Sequence, residues 1–295
     1  MLSDVIDIVR LLRESETYLV ERGVPNARRN AEWMLGHVLG CRSADLYLTP
    51  YRVIDRSERD RFQDLLRRRG EREPLQYIIE STEFMSLPFR MRPGVFIPRP
   101  ETELLVEAVE ALLEKVPRGG GGRGPFSVLD LCCGSGVIGV SLAVRRSDLE
   151  CTAVDVDARA VALARDNAAG NGVCLRFRFV EARAADFLRG PAGTYHAVVC
   201  NPPYVPAVEI ARLLPEVRDH EPHLALDGGA DGLDFYREVV PLFPGVTAPG
   251  GIIALEIGDA QGRAVSELAE AAGFDGVAVR KDYRGLDRVV TGRRP

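Results

Sequence analysis

The sequence predicts an α/β fold in which a doubly wound domain with a mostly parallel sheet follows a helical segment. From residue 128 onward, short apolar runs typical of strands alternate with helical patterns, and this alternation is typical of a parallel sheet covered by helices. Before residue 84, apolar residues instead recur at the three- and four-residue spacing of amphipathic helices. The 46% of hydrophobic and 27% of charged residues are ordinary for a globular protein and exclude a disordered chain.

The elements before the sheet are predicted from apolar spacing and from the glycines and prolines that stop helices. Gly40 and Gly70 each follow a helical pattern directly, whereas four prolines between residues 84 and 100 interrupt any helix there. We expect helices near residues 5–19, 31–39 and 57–69, a hairpin or extended connector at 84–100, a helix at 101–116 and a glycine-rich surface loop at 119–124.

The sheet and its covering helices are predicted in the rest of the chain. The expected strands are residues 128–132, 151–156, 177–180, 197–200, 252–257, 277–280 and 288–291. The expected helices are residues 137–144, 158–169, 233–243 and 262–272.

Charge and cysteine content narrow the classes of function. The chain has 38 basic and 43 acidic residues, and its net charge of −5 disfavours purely electrostatic capture of DNA or of an anionic membrane. The arginine-rich stretch at 56–72 is interleaved with acids, so we interpret it as a solvated helix face. The 6 cysteines include no CxxC pair, so we expect neither a metal site nor a disulfide framework. Because we find no secretory leader and no apolar run of roughly 20 residues, we expect a protein of the reducing cytoplasm.

The first chemical motif follows the first predicted strand of the sheet. It is the run Leu129–Gly136, where a strand passes into a helix. Gly134 and Gly136 let the backbone turn tightly and approach a ligand, because neither carries a Cβ. With Gly139 they satisfy GxGxxG, which nicotinamide-dependent enzymes also contain. The motif alone therefore leaves that enzyme class and a purely structural turn open.

An acidic pair ends the second predicted strand of the sheet. Asp155 lies 19 residues after Gly136, where a carboxylate can accept hydrogen bonds from both ribose hydroxyls of a nucleoside. Enzymes that use NAD and enzymes that use S-adenosylmethionine share this feature. Asp157 directly precedes a predicted helix, so we interpret it as the N-cap of that helix.

The tetrapeptide Asn201-Pro202-Pro203-Tyr204 follows the fourth predicted strand and gives the sharpest functional signal. Two prolines directly after an apolar strand end its hydrogen-bond ladder and stiffen the backbone. An amide or aryl amine is a poor nucleophile because its nitrogen lone pair is delocalised. The side-chain carbonyl of Asn201 and the main-chain carbonyl of Pro202 can each accept one N–H of such a group, and Tyr204 offers it a flat face. We therefore predict catalytic roles for Asn201, Pro202 and Tyr204, and substrate binding by the whole tetrapeptide including Pro203.

The combination of these motifs resembles the peptide chain release factor N5-glutamine methyltransferase family (HemK/PrmC). The tetrapeptide after a glycine-rich loop is similar to methyltransferases that modify planar nitrogens, and the likeness covers essentially the whole chain. The further segments that carry it are residues 73–77, 83–84, 96–103, 216–218, 221–222, 225–233 and 283–288. Members of the family often have glycine and a small polar residue where this chain has Cys132-Cys133.

The resemblance implies a fold, a cofactor and a substrate. The fold would be a seven-stranded Rossmann-like methyltransferase domain (101–295) with an antiparallel last strand, after an N-terminal helical substrate-docking bundle (1–83) and a hairpin linker (84–100). The cofactor would be S-adenosyl-L-methionine. The substrate would be the glutamine of the Gly-Gly-Gln loop in class 1 peptide chain release factors, with no direct nucleic acid or membrane partner. The implied cofactor-binding residues are Cys132, Cys133, Gly134, Ser135, Gly136, Asp155, Asn201 and Phe187, whose ring would stack on adenine.

Other functions remain open from the sequence. The tetrapeptide suits a flipped-out adenine equally well, although the net charge and the lack of a basic base-reading module disfavour an adenine-N6 nucleic-acid methyltransferase. A ribosomal-protein glutamine methyltransferase is a close variant of the first hypothesis. An NAD(P)-dependent oxidoreductase would explain Gly134 and Asp155 but not Asn201–Tyr204. A non-catalytic binding module would use the helical domain to hold a partner.

Overall fold

The helical unit contains the residues up to Ser81 and also a later segment, Leu214–His220. The computed structural model describes residues 6–117 and 124–295. The other described residues, within Thr82–Leu213 and Glu221–Pro295, form a second unit that contains the large sheet. Of the predicted glycine-rich loop at 119–124, residues 119–123 lie outside the described residues, and only Gly124 is described.

Capping residues and glycines set the bounds of the N-terminal helices. The helices of this unit are α1 (Ile8–Glu21), α2 (Ala27–Leu39), a 3-10 helix (Ser43–Leu48), α3 (Arg56–Gly70), α4 (Leu75–Ile78) and the short α10 (Pro215–Arg218). Asp55 begins α3 with a reciprocal capping box, because its carboxylate accepts the N–H of Glu58 while the Glu58 carboxylate accepts the N–H of Asp55. Gly40 ends α2 with a left-handed φ of 67°. Apolar side chains of these helices, among them Leu19, Met34 and Phe62, are 0% exposed and form the core of the unit.

A buried cluster of charges ties the later segment to α3. Arg69 Nη2 lies 2.7 Å from Glu216 Oε1, and Arg72 Nη2 lies 2.5 Å from Glu216 Oε2. The side chains of Arg69 and Glu216 are only 5% and 11% exposed. Burial would raise the pKa of Glu216, but hydrogen bonds from the two arginines outweigh it and lower that pKa below its usual value. A buried arginine without a carboxylate partner is strongly destabilising. The helical unit therefore needs Glu216, from the later segment, for its full stability.

The second unit begins with a hairpin and continues as a layered α/β structure. Its strands are β1 (Ser81–Phe84), whose first residue belongs to the helical unit, β2 (Leu87–Arg90), β3 (Phe126–Leu131), β4 (Leu149–Asp155), β5 (Phe177–Glu181), β6 (Tyr195–Cys200), β7 (Thr247–Glu256), β8 (Asp275–Lys281) and β9 (Asp287–Arg293). Its α-helices are α5 (Glu103–Leu113), α6 (Val137–Arg145), α7 (Ala158–Gly170), α8 (Ala184–Arg189), α9 (Ala207–Ile210), α11 (Asp234–Val239), α12 (Phe243–Val246) and α13 (Gly262–Ala271). Its 3-10 helices are Pro100–Thr102, Cys174–Arg176, His223–Ala225 and Val240–Leu242.

Within the described ranges, seven strands form one sheet in the order β5-β4-β3-β6-β7-β9-β8. The pairs β5/β4, β4/β3, β3/β6 and β6/β7 are parallel, whereas β9 is antiparallel to both β7 and β8. Neighbouring residues of one strand pack into different apolar clusters, as Val198 and Val199 do, because side chains alternate between the faces of a sheet. The predicted doubly wound, mostly parallel sheet with an antiparallel last strand is confirmed.

Two differences from the predicted elements have local causes. The helix predicted at 233–243 is divided into α11, a 3-10 turn and α12, because Pro241 and Pro244 lack the N–H that a continuous helix requires. The hairpin occupies 81–90 rather than extending to residue 100, and the prolines that follow it belong to an irregular segment before α5. In the ranges that the structure describes, no helix combines the length and apolar character that crossing a membrane would require.

Candidate active site

The candidate site lies where the winding of the sheet reverses. From β3 the chain winds through β4 to β5 on one side, and β6 and β7 lie on the other side of β3. Parallel strands place their carboxyl ends at one edge, and the crevice at such a reversal is the usual ligand site of open α/β sheets. The motif residues at these ends are Cys132–Gly136 after β3, Asp155 on β4, Asn201–Tyr204 after β6 and Glu256 on β7.

The loop after β3 has the left-handed backbone that glycine favours. The φ angle is 54° at Gly134 and 79° at Gly136. A Cβ on Gly136 would lie 2.9 Å from the Cβ of Ala164, so this glycine also allows the loop to approach α7 closely. A Cβ on Gly134 would meet no described atom within 4 Å. The space beside Gly134 is therefore open to a ligand.

The adjacent cysteines of this loop have different surroundings. Cys132 has a φ of 55°, and this left-handed backbone costs a residue with a Cβ about 1–2 kcal/mol. Burial, and after it the neighbouring Cys132 thiol, raises the pKa of the Cys200 thiol well above its usual value, so the loop after β3 lies close to the residue that precedes Asn201. Cys133 is 4% exposed within an apolar cluster, and burial raises the pKa of its thiol well above the usual value. Cys133 is therefore a neutral packing residue.

Asp155 connects the end of β4 to the glycine loop. Its Oδ2 accepts the N–H of Gly134 at 2.9 Å, and its Oδ1 accepts the N–H of Asp157 at 3.0 Å. Burial raises the pKa of Asp155, and the backbone N–H donors act in the opposite direction. Asp157 has a different role: its carboxylate accepts the N–H of Arg159 at 2.8 Å and caps α7. The structure thus separates an acid at the crevice from an acid that caps a helix.

A second acid, Asp130, is fully enclosed within β3. Its Oδ2 accepts the N–H of Gly139 at 3.0 Å, while its Oδ1 has no hydrogen-bond partner in the described structure. Burial raises the pKa of Asp130 to about 7. This carboxyl anchors the start of α6 against β3, since Gly139 lies in that helix.

The corner Asn201–Tyr204 is held by groups from three other segments. Asn201 Nδ2 lies 3.3 Å from Thr102 Oγ1, and the Tyr204 hydroxyl donates to Glu256 Oε1 at 3.2 Å. Gln261 Nε2 donates to the main-chain carbonyl of Tyr204 at 2.9 Å. The corner is therefore fixed by side-chain hydrogen bonds as well as by its prolines.

Thr102 and Glu256 were not predicted as site residues. Thr102 is 1% exposed and Glu256 is 0% exposed, and the Thr102 side chain lies beside the Glu256 carboxylate. Burial raises the pKa of Glu256 to about 7, although the neighbouring hydroxyls of Thr102 and Tyr204 act to lower it. For Glu256, the sequence did contain a signal: an acidic residue stands inside the apolar run of a predicted strand. Such a residue needs polar partners when it is buried.

The segment before α5 is held by a buried ion pair. Glu221 is 4% exposed, and its carboxylate accepts from Arg99 Nη2 at 2.6 Å and from the N–H of Ile97 at 3.2 Å. This pair fixes the turn that leads directly into Thr102. Two segments quoted for the family resemblance, 96–103 and 221–222, are therefore parts of one structural feature.

Phe187 lies on α8, the short helix that follows β5. The ring is half-buried against the same apolar cluster that Cys132 and Tyr204 contact. The main chain before this helix is tied to β4, since the N–H of Ala182 donates to the carbonyl of Asp155 at 2.9 Å. Phe187 is thus placed on the strand-end side of the sheet, and a role in cofactor binding remains a prediction.

Comparisons with known proteins identify the relatives of this chain. The family described as PrmC N-terminal domain matches residues 10–79, and the family described as methyltransferase small domain matches residues 87–217. A release factor glutamine methyltransferase of Geobacter sulfurreducens is 38% identical over 98% of this chain and 98% of its own length. One from Cereibacter sphaeroides is 40% identical over 96% of this chain and 97% of its own length.

A solved structure supports the fold independently. The T. thermophilus 16S rRNA N2 G1207 methyltransferase, in complex with AdoMet and guanosine, matches with a TM-score of 0.51 and 20% identity. The match covers 73% of this chain and 50% of that chain. The relatives decide between the enzyme classes that the glycine loop alone left open, and this chain is a methyltransferase. It belongs to the family of release factor glutamine methyltransferases.

Proposed function

We propose that this enzyme transfers a methyl group from S-adenosyl-L-methionine to the side-chain nitrogen (N5) of the glutamine in the Gly-Gly-Gln loop of class 1 peptide chain release factors. The observation that carries the proposal is the juxtaposition at the sheet reversal. A glycine loop bonded to Asp155 lies beside an Asn-Pro-Pro-Tyr corner, since the side chains of Cys132 and Cys200 are neighbours that pack in the same apolar cluster. The names of the full-length relatives support a glutamine of a release factor as the acceptor.

The residues of the crevice fit a nucleoside-containing cofactor. The carboxylate of Asp155 has about four lone-pair directions, and backbone N–H groups occupy one on each oxygen. The remaining directions suit the two adjacent hydroxyls of a ribose. The open space at Gly134 allows the backbone of the loop to contact the cofactor directly. In this proposal Cys132–Gly136, Asp155, Phe187 and Asn201 hold the cofactor.

The Asn-Pro-Pro-Tyr corner would prepare the acceptor amide. The Asn201 side-chain carbonyl and the Pro202 main-chain carbonyl each accept one N–H of the glutamine side chain, and the Tyr204 ring lies against its plane. These carbonyl oxygens favour the positive charge that develops on nitrogen, which is the reverse of an oxyanion hole. The cofactor supplies an already activated methyl group, so the chain needs no nucleophile of its own. Positioning of the reacting groups can contribute roughly 7–11 kcal/mol relative to encounter in solution.

Mass spectrometry of the acceptor tests the proposal. A release factor incubated with the enzyme and the cofactor should gain one methyl group on its loop glutamine, and the same factor with that glutamine replaced by glutamate should gain none. Ribosomal proteins and duplex DNA in parallel incubations represent the alternatives. Methylation of either one without methylation of the release factor would overturn the proposed substrate. Because the proposed acceptor acts in translation, we place the reaction in the cytoplasm.

The variant Asn201→Ala tests the proposed role of the corner. It removes one of two carbonyl acceptors, so we expect turnover of the release factor to fall by about 10²–10³-fold, as for loss of one oxyanion-hole group. Thermal unfolding should change little, because Asn201 is half-exposed and its side chain bonds only to Thr102 among the described groups. Turnover near the wild-type value would remove Asn201 from the mechanism.

A further inference from the structure

Gln261, directly before α13, has a buried side-chain amide that makes three hydrogen bonds. The residue is 8% exposed. Its Nε2 donates to the main-chain carbonyls of Tyr204 at 2.9 Å and of Gly232 at 3.1 Å, and its Oε1 accepts the N–H of Gly258 at 2.9 Å. A carbonyl only accepts and a main-chain N–H only donates, so these three neighbours allow a single orientation of the amide. Both N–H groups of Gln261 are therefore used within the protein.

Gly232 brings a second segment against the carbonyl of Tyr204. Its φ is 79°, and a Cβ there would lie 2.5 Å from Gln261 Nε2 and would overlap the main-chain oxygen of Tyr204. Glycine therefore lets the two carbonyls converge on one amide nitrogen. The residue after the corner is joined to the same loop, because the N–H of Gly228 donates to the carbonyl of Val205 at 2.9 Å. The chain that leaves the corner is thus held both by Gln261 and by the loop that contains Gly232.

Tyr204 is fixed at its side chain and at its main chain by one segment. Its hydroxyl donates to Glu256 Oε1 at 3.2 Å, at the end of β7, and its carbonyl accepts from Gln261, which follows shortly after. The rings of Pro202 and Pro203 restrict φ to about −65° at two successive residues and also limit the backbone between them. A shift of the Tyr204 main chain is therefore passed on to the carbonyl of Pro202, because little rotation is available to absorb it.

We propose that Gln261 is a positioning residue, which holds the Asn-Pro-Pro-Tyr corner so that the main-chain carbonyl of Pro202 lies where it accepts an N–H of the glutamine. The inference rests on the proposed function for the identity of that acceptor. Because both of its N–H groups are used within the protein, Gln261 acts through Tyr204 and does not bind the acceptor itself. Gln261, the corner and Gly232 all lie within the sheet-containing unit.

The first test measures turnover of the release factor by Gln261→Met. Methionine has about the length of glutamine but no N–H, so the carbonyls of Tyr204 and Gly232 lose their shared donor. A misplacement of about 1 Å can lower a rate by about 10²-fold, so we expect kcat to fall about 10-fold or more. The Kd for S-adenosylhomocysteine, measured by calorimetry, should stay within about threefold of wild type. The stoichiometry of that binding corrects kcat for any unfolded fraction, and a corrected kcat near the wild-type value would overturn the proposal.

Thr247→Val is the matched control at the other end of β7. Thr247 is 0% exposed, and its hydroxyl donates to the main-chain carbonyl of Phe243 at 2.8 Å. Both Thr247→Val and Gln261→Met leave a buried main-chain carbonyl without its side-chain donor, so both should lower the melting temperature. Only Gln261→Met should lower the corrected kcat, because Thr247 lies at the opposite edge of the sheet from the corner. Equal losses of corrected kcat in the two variants would overturn the positioning role.

A second variant, Gly232→Ala, displaces the same carbonyl while Gln261 is retained. The added Cβ would overlap the main-chain oxygen of Tyr204, so the corrected kcat should again fall. Its control is Gly273→Ala, because Gly273 has a φ of 90° and a Cβ there would meet no described atom within 4 Å. That control has the cost of a left-handed backbone without the overlap, so its corrected kcat should stay near the wild-type value. Wild-type turnover by Gly232→Ala, or equal losses in the two alanine variants, would overturn the proposal.

Crystal structures of the ligand-free wild type and variants separate the inference from the function on which it rests. Productive geometry requires groups to be held within about 0.5 Å, so the carbonyl oxygen of Pro202 should move by about that distance or more in Gln261→Met and stay in place in Thr247→Val. An unmoved Pro202 in Gln261→Met would overturn the positioning role, whatever the acceptor is. If the wild type does not methylate a release factor, the proposed function fails, while the crystal structures still decide whether Gln261 holds the corner.

Discussion

Replacing Asp155 with alanine should weaken cofactor binding by an amount that follows from its hydrogen bonds. Each carboxylate oxygen already accepts one backbone N–H, from Gly134 at 2.9 Å and from Asp157 at 3.0 Å. Two lone-pair directions remain for the two hydroxyls of a ribose. Hydrogen bonds to a charged group contribute about 1.5–3 kcal/mol each, so the pair contributes roughly 3–6 kcal/mol. At about 1.4 kcal/mol for each factor of ten, the Kd should rise by about two to four orders of magnitude.

Isothermal titration calorimetry with S-adenosylhomocysteine measures this change without any acceptor present. The matched control is Asp157→Ala, two residues further on. That change removes the N-cap of α7, so it should cost about 1 kcal/mol of stability while the Kd stays within about threefold of wild type. Asp155→Asn retains part of the contact to the loop and should give an intermediate Kd. An Asp155→Ala protein that folds and binds with the wild-type Kd would refute the assignment of Asp155 to the ribose.

The remaining predictions concern stability. Glu216→Ala leaves buried Arg69 without its charged partner and should lower the free energy of unfolding in urea by about 3 kcal/mol. Glu71→Ala, at an exposed ion pair, should cost less than about 1 kcal/mol. Equal losses would contradict the buried role of Glu216. The pKa of Asp130 is raised from 3.8 to about 7, so its stabilising contribution is complete below about pH 4 and is lost as the pH rises through 7. Asp130→Asn should therefore reduce the pH dependence of unfolding between about pH 4 and about pH 7, and an unchanged slope would contradict this. Gly139→Ala would place a Cβ 3.0 Å from Asp130 Oδ2 and 2.8 Å from a buried sulfur. We therefore expect the free energy of unfolding, measured by thermal unfolding, to fall by about 1–3 kcal/mol. A wild-type melting curve would show that the helix can move away.

The elements of the sheet could be predicted because their signals are local. Each of the seven strands is an apolar run between turn residues, and each predicted run overlaps an observed strand, as Ala197–Cys200 does within β6. The helix α8 was missed because its six residues alternate small, charged and apolar types without a clear period. The role of Phe187 on this helix therefore depended on the family resemblance.

The relations between distant residues could not be predicted from spacing. Glu256 stands in an apolar run, and the sequence does not show that Thr102 and Tyr204 come to meet it. Likewise, Glu216 follows the Asn-Pro-Pro-Tyr corner in the sequence, yet it joins the helical unit through Arg69. Buried polar partners of this kind depend on the tertiary arrangement, because any of the chain's many acids and arginines is chemically suitable.

The position of Glu216 affects how the protein is made on the ribosome. Glu216, which pairs with Arg69, lies 147 residues later in the chain and is therefore synthesised after it. At a synthesis rate of about 5–20 residues per second, that delay is roughly 7–30 s. During this interval the nascent helices carry a guanidinium that can be buried only at a high energetic cost. The N-terminal helices should consequently reach their final stability only after most of the sheet has been translated, so folding of the first part of the chain is timed by the arrival of the second.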